Sequence, residues 1–133
     1  MSGRPRILVV EDNPMNLELV RDILTAEGYE VLEAADGATG VAIATLERPA
    51  LILMDLQLPR LDGLEAARLI RADPRLAGIP IVAVTAHAMK GDDEKARAAG
   101  CDGFVTKPIQ VREFAATVAA FLKGAKSGSS PHE

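Results

Sequence analysis

Short apolar runs separated by segments of helical period constrain this chain more than any other feature. Ile7-Leu8-Val9-Val10, Leu51-Ile52-Leu53-Met54 and Ile81-Val82-Ala83-Val84 contain no polar residue. A half-exposed strand alternates polar and apolar side chains, whereas an unbroken run calls for burial on both faces, as in a parallel sheet covered by helices. Val31-Leu32-Glu33-Ala34 and Phe104-Val105 read as weaker strands. The alternation of strand-like and helix-like segments predicts an α/β fold.

Helix boundaries are visible between the runs. Asn13 is a predicted cap with Pro14 at the first helical position, and Gly28 is the stop. Asp62 followed by Glu65 resembles a capping box. Val111, Phe114, Ala115, Val118, Phe121 and Leu122 recur at the spacing of one apolar helix face. The stretch 88–100 is rich in alanine and charge, with little apolar face beyond Met89, and predicts a weakly anchored helix. Residues 1–5 read as an N-terminal extension, 6–123 as one domain, and the Gly/Ser-containing stretch 124–133 as a flexible tail. Gly63 is expected to start a helix and Gly103 to sit in a tight turn.

Composition narrows the partners. Hydrophobic residues make up 48% of the chain and aromatics only 3%, so the core must be aliphatic. The net charge is -4 and the fifteen Lys and Arg residues are scattered, unlike the basic stripe of a nucleic-acid binder. The apolar run after the basic N-terminus is too short for a signal peptide or a membrane span. The single cysteine, Cys101, excludes an intramolecular disulfide and fits a reducing compartment. The expectation is a cytoplasmic protein that engages neither nucleic acid nor membrane.

The polar residues that interrupt this pattern fall at strand ends. Glu11 and Asp12 follow the first strand, Asp55 ends the third, Thr85 ends the fourth and Lys107 follows the last. In a parallel sheet the carboxyl ends share one edge, where ligand sites gather. Any one of these residues alone is more often a helix cap, a strand end or a surface charge; their joint placement is what points to a site. Two carboxylates about 4 Å apart repel by roughly 4 kcal/mol at an effective dielectric of about 20. A hard cation with oxygen ligands relieves this, and Mg²⁺ characteristically joins carboxylates to a phosphate. With the Lys107 ammonium added, the set is suited to a phosphoryl group.

The motifs Leu-Val-Val-Glu-Asp-Asn (8–13), Leu-Met-Asp-Leu-Gln-Leu-Pro-Arg-Leu-Asp-Gly (53–63), Val-Thr-Ala-His-Ala (84–88) and Val-Thr-Lys-Pro-Ile (105–109) resemble the receiver domains of two-component signalling. The likeness runs from about Arg6 to Lys123. It is greatest to stand-alone receivers of the cell-cycle and chemotaxis type and to receiver modules of hybrid histidine kinases. The resemblance implies a flavodoxin-like, doubly wound sheet of five parallel strands in the order 2-1-3-4-5 with five helices. It implies a switch rather than a conventional enzyme, one that catalyses its own phosphorylation and dephosphorylation. Asp55 would be the phosphoacceptor, taking its phosphoryl group from a histidine kinase or histidine phosphotransferase. Asp12, Asp55 and the backbone carbonyl of Gln57 would hold Mg²⁺, with Glu11 joining directly or through water. Thr85 and Lys107 would bond phosphoryl oxygens, and Phe104 would turn inward as Thr85 moves. Gln57 and His87 would tune phosphoryl lifetime, Pro108 would follow a cis peptide bond, and a downstream protein would read the state.

Two other classes fit less well. An aspartate-nucleophile Mg²⁺ phosphatase commonly carries a second aspartate two residues after the nucleophile, where this chain has Gln57. A nucleotide-binding module would need a glycine-rich loop after the first strand, where Glu11-Asp12-Asn13-Pro14 would repel a pyrophosphate. A receiver module belonging to a hybrid histidine kinase fits the same motifs.

Overall fold

The structure is a computed structural model that describes residues 4–56, 58, 62–85 and 91–123. Five strands form one parallel sheet in the order β2-β1-β3-β4-β5. They are β1 (Arg6–Val10), β2 (Glu30–Ala34), β3 (Leu51–Asp55), β4 (Ile81–Thr85) and β5 (Gly103–Thr106), and they alternate with α1 (Pro14–Ala26), α2 (Gly37–Glu47), α3 (Gly63–Ala72), α4 (Asp92–Ala98) and α5 (Val111–Leu122). The expected doubly wound fold and strand order are present. The weak strands are each longer than their sequence signal: β2 gains Glu30, and β5 gains Gly103 and Thr106.

Strand periodicity divides the core into two layers. Leu8, Val10, Ile52, Met54, Ile81 and Ala83 face one side, where Ala44 of α2 and Ala66, Ala67 and Ile70 of α3 cover them. Ile7, Val9, Leu51, Leu53 and Val82 face the other, under Val20, Ile23 and Leu24 of α1 and Phe114 and Val118 of α5. Every residue of β3 and β4 is buried, which explains their unbroken apolar runs.

The helix starts follow the local chemistry. The Asn13 side chain accepts from the backbone N–H groups of Met15 and Asn16, and Pro14 occupies the first helical position. Gly28 takes a left-handed φ of 93° beyond the end of α1. Asp62 accepts from Glu65 N–H at 2.9 Å, but the Glu65 carboxylate pairs with Arg68 instead of returning to close the box.

Three expectations change. Val111 belongs to α5 but is 54% exposed, because as the first residue of the helix it projects beyond the sheet contact made by Phe114 and Val118. Gly103 lies in β5 rather than in a turn, and a Cβ there would meet the Phe121 ring at 2.7 Å. The helix expected within 88–100 is described from Asp92 to Ala98, and it does have anchors: Ala96 and Ala99 are buried in the core with Cys101. Residues 86–90, 1–3 and the proposed tail 124–133 lie outside the described residues.

At the sheet edge opposite the strand carboxyl ends, Arg71 of α3 ties two loops together. Its guanidinium donates to the carbonyls of Gly100 and Ala77 and to the Asp102 carboxylate, which also accepts from Ile81 N–H. Gly100 adopts φ +106°, and a Cβ there would meet the Arg71 side chain at 2.9 Å. Removing the guanidinium would leave half-buried acceptors without their donor, at a cost of about 1–3 kcal/mol. Arg71→Ala and Asp102→Ala are each expected to lower the urea midpoint, with a double variant less destabilised than the two losses added. Full additivity would show that the two residues do not act as one clamp.

Candidate functional site at the carboxyl ends of the strands

The sequence places each polar residue by ending a strand. β1 runs into Glu11, whose N–H continues the pairing to Ala34 O at 3.0 Å, so the side chain is fixed where the sheet stops. Asp55 closes β3 in register with Val84, and Leu56 N–H donates to Val84 O at 2.9 Å. Thr85 closes β4, and its carbonyl accepts from Lys107 N–H at 2.8 Å, which draws the residue after β5 over the same edge. The Lys107–Pro108 peptide bond is cis.

Glu11, Asp12 and Asp55 each present a carboxylate oxygen within 4.8 Å of the others. Asp12 is exposed, while Glu11 is 5% and Asp55 3% exposed. Lys107 Nζ answers both buried acids, at 3.0 Å from Glu11 Oε1 and 3.4 Å from Asp55 Oδ2. Glu11 Oε2 also accepts from Asn13 N–H at 3.1 Å. Thr85 is 3% exposed. Phe104 is half-buried against the layer covered by α2, α3 and α4, and pairs in register with Ala83, two residues before Thr85. It thus shares a sheet face with Thr85, one step further from the edge. Gln57 and His87 lie outside the described residues.

The electrostatics are unbalanced toward negative charge. Burial pushes the Glu11 carboxyl above its ordinary pKa of 4.5; the Lys107 hydrogen bond and the Asn13 N–H oppose this, and the Asp55 charge adds to it. Burial works against the Lys107 charge, but the Glu11 hydrogen bond and the charges of Asp55 and Glu11 outweigh it and raise its pKa. Among the described residues one ammonium faces three carboxylates, and the donor set is all oxygen. A hard divalent cation fits such a donor set, and a transition metal that favours nitrogen or sulfur does not. The lone thiol is not part of the chemistry: burial, with the Asp102 charge, pushes Cys101 up to about 11.

Sequence reasoning missed the role of one residue. Gly63 does start α3, but it also lies against the backbone of Asp55 and Leu56. Its place directly after the capping Asp62 marks a helix start; nothing in the sequence marks the contact across the loop.

A doubly wound sheet with three acids and a lysine at its carboxyl edge is the architecture of a phosphoryl-accepting signalling switch. The family profile of the response regulator receiver domain matches residues 7–119, and the chain belongs to that family. It is similar to the polar-differentiation response regulator DivK of Brucella anthropi, with 44% identity over 116 residues, 87% of this chain and 94% of that protein. The DivK of Brucella ovis is 43% identical over the same shares. Among solved structures, the receiver domain of a sensor histidine kinase from Pseudomonas aeruginosa superposes with a TM-score of 0.86 at 38% identity, covering 92% of this chain and 100% of that one; it has a magnesium ion coordinated in its active-site cleft. The chemotaxis protein CheY4 of Vibrio cholerae superposes with a TM-score of 0.84 at 26% identity, covering 88% of this chain and 98% of that one. The chain is a receiver domain of two-component signalling.

Because the folded-state pKa of Glu11 is raised, its protonated form favours folding at acid pH. That contribution is lost as pH rises from about 4.5 through the raised value. In chelator, Glu11→Gln is therefore expected to stabilise the protein at neutral pH and to flatten the decline in stability above pH 4.5. Urea unfolding across pH checks this; identical pH profiles for variant and parent would contradict it.

Proposed function

We propose that Asp55 accepts a phosphoryl group from a phosphohistidine on a histidine kinase or histidine phosphotransferase, with Mg²⁺ present, and that the phosphorylated form changes the surface read by a downstream protein. The single observation that carries this reading is the convergence of Glu11, Asp12, Asp55 and Lys107 at one sheet edge. Magnesium in the cleft of the Pseudomonas receiver supports the choice of cation.

An Asp55 carboxylate oxygen attacks phosphorus, the bond from phosphorus to the imidazole nitrogen breaks, and its electron pair returns to the ring. The product is an acyl phosphate on Asp55. No general base is needed where the attacking group is itself a carboxylate. Asp12 and Asp55 would hold the cation with the backbone carbonyl of Gln57, and Glu11 would join directly or through water. The bound cation supplies charge neutralisation and a template for the equatorial oxygens. Lys107 adds a second positive charge; its bonds to Glu11 and Asp55 keep the ammonium over the crevice until a phosphoryl oxygen competes for it. Thr85 would donate to another phosphoryl oxygen.

In this reading the domain catalyses its own phosphorylation and, with water as attacker, its own dephosphorylation. Gln57 and His87, two residues beyond Asp55 and Thr85, would border that water's approach and set the lifetime. The phosphoryl group biases a two-state equilibrium, drawing Thr85 toward it and letting Phe104 turn inward. The transfer would take place in the cytoplasm. Among the described residues no helix is long and apolar enough to cross a membrane.

Asp55→Asn is expected to keep the fold and to lose phosphorylation, as read by intact-protein mass spectrometry after acetyl phosphate and Mg²⁺ treatment. A fully phosphorylated Asn variant would remove Asp55 from the role. Thr85→Ala is expected to accept phosphate without the altered hydrogen-exchange protection across residues 86–108 that the parent gains. If the parent changes protection only around Asp55, the output route through Thr85 and Phe104 is wrong.

A further inference from the structure

The start of α3 touches the phosphoacceptor strand more closely than any side chain would allow. A Cβ built on Gly63 would lie 2.3 Å from the Asp55 carbonyl oxygen, 2.7 Å from Leu56 Cα and 3.0 Å from the Asp55 carbonyl carbon. All three are backbone atoms, which cannot swing aside as the tip of a side chain can. Gly63 does not occupy a left-handed conformation, so glycine is needed here for space.

We propose that Gly63 is a positioning residue for the acid cluster. Its bare Cα lets α3 close against the Asp55–Leu56 backbone and so holds the Asp55 carboxylate in place beside Glu11, Asp12 and Lys107. The proposal rests on the reading of Asp55 as the phosphoacceptor at a cation site.

Both sides of the contact are fixed. On one side, Leu56 N–H donates to Val84 O, and Asp55 pairs in register with Val84. On the other, Asp62 caps α3 through Glu65 N–H, and Ala66, Ala67 and Ile70 are wholly buried in the core. Neither partner can retreat without breaking a hydrogen bond or opening the core. Restoring an ordinary carbon–oxygen separation of about 3.3 Å would move backbone by about 1 Å. Lys107 is already 3.4 Å from Asp55 Oδ2, so a displacement of that size breaks the pair or reshapes the oxygen donor set. Misplacement of a reacting group by about 1 Å can cost on the order of 100-fold in rate.

The test compares Gly63→Ala with Gly103→Ala in the full chain. Gly103 is a matched control, since a Cβ there would strike the Phe121 ring at 2.7 and 2.8 Å, but at the start of β5, away from the acids. Three quantities are measured for each protein: stability to urea, affinity for Mg²⁺ alone, and the rate of phosphorylation by acetyl phosphate. Gly63→Ala is expected to lose on the order of 10- to 100-fold in Mg²⁺ affinity, as supports of a metal site do, and to be phosphorylated correspondingly slowly. Gly103→Ala is expected to lose stability and keep both site functions. If Gly63→Ala unfolds too readily to assay, both variants are compared in an osmolyte that favours the compact state. Parent-like Mg²⁺ binding and phosphorylation in Gly63→Ala would overturn the proposal, as would an equal loss of both in Gly103→Ala. A parent that neither binds Mg²⁺ nor takes phosphate at Asp55 would instead overturn the reading of the site on which the proposal depends.

Discussion

The arrangement of this domain turns on negative charge concentrated where the sheet ends. Glu11 and Asp55 are almost fully buried, and Asp12 stands beside them. Carboxylates at such separations repel by several kcal/mol when water is largely excluded. Lys107 is the one positive group the described residues bring within bonding distance of both buried acids. One ammonium cannot neutralise three acids; burial, with the Asp55 charge adding to it, raises the pKa of Glu11. A divalent cation would complete the charge balance, and a phosphoryl group, itself anionic, would shift it again. A site that is incomplete by itself can respond to both.

Parallel topology is what makes so unfavourable a cluster possible. The central strands β3 and β4 are buried along their whole length, so Asp55 and Thr85 are presented by backbone that has no freedom to drift. Hydrogen bonds continue past the formal strand ends, from Glu11 to Ala34, Leu56 to Val84 and Lys107 to Thr85. Each extends the sheet by one residue just where a functional side chain must be aimed. The burial of aliphatic residues elsewhere offsets the electrostatic cost at this edge, because apolar burial contributes about 25 cal/mol per Å² over the whole core.

What the sequence made legible was whatever produces a local pattern. The apolar runs gave β1, β3 and β4, and the acids, Thr85 and Lys107 stood out because they break those runs. The motifs from Leu8 to Asn13 and from Leu53 to Gly63 pointed to the family. Features that depend on distant partners were hidden. Ala96 and Ala99 anchor α4, yet alanine is too small to show as an apolar face until the helix is seen against the core. The Arg71 clamp joins residues some thirty positions apart, and its two loops carry no charge pattern that would announce it. Glycine's tendency to form turns predicts a turn at Gly103, whereas the Phe121 ring against it is what excludes a side chain.

The two ends of the molecule are built for different tasks. At the edge away from the acids, Arg71 binds Gly100 and Asp102, and Asp102 in turn holds Ile81 N–H. These bonds fix the end of α4 and the start of both β4 and β5. The opposite end of α4 begins after Gly91, which has a left-handed φ and makes no side-chain cap. At this start of the helix the described hydrogen bonds run from Lys95 N–H to Gly91 O and from Glu94 N–H to the Asp93 carboxylate. Displacing its end would expose Ala96 and Ala99 and disturb the loop held by the guanidinium. Local opening free energy rises with buried contacts and tertiary hydrogen bonds, so it is high at the clamped end. The clamp at the far edge thus holds the starts of β4 and β5 in place behind Asp55 and Thr85.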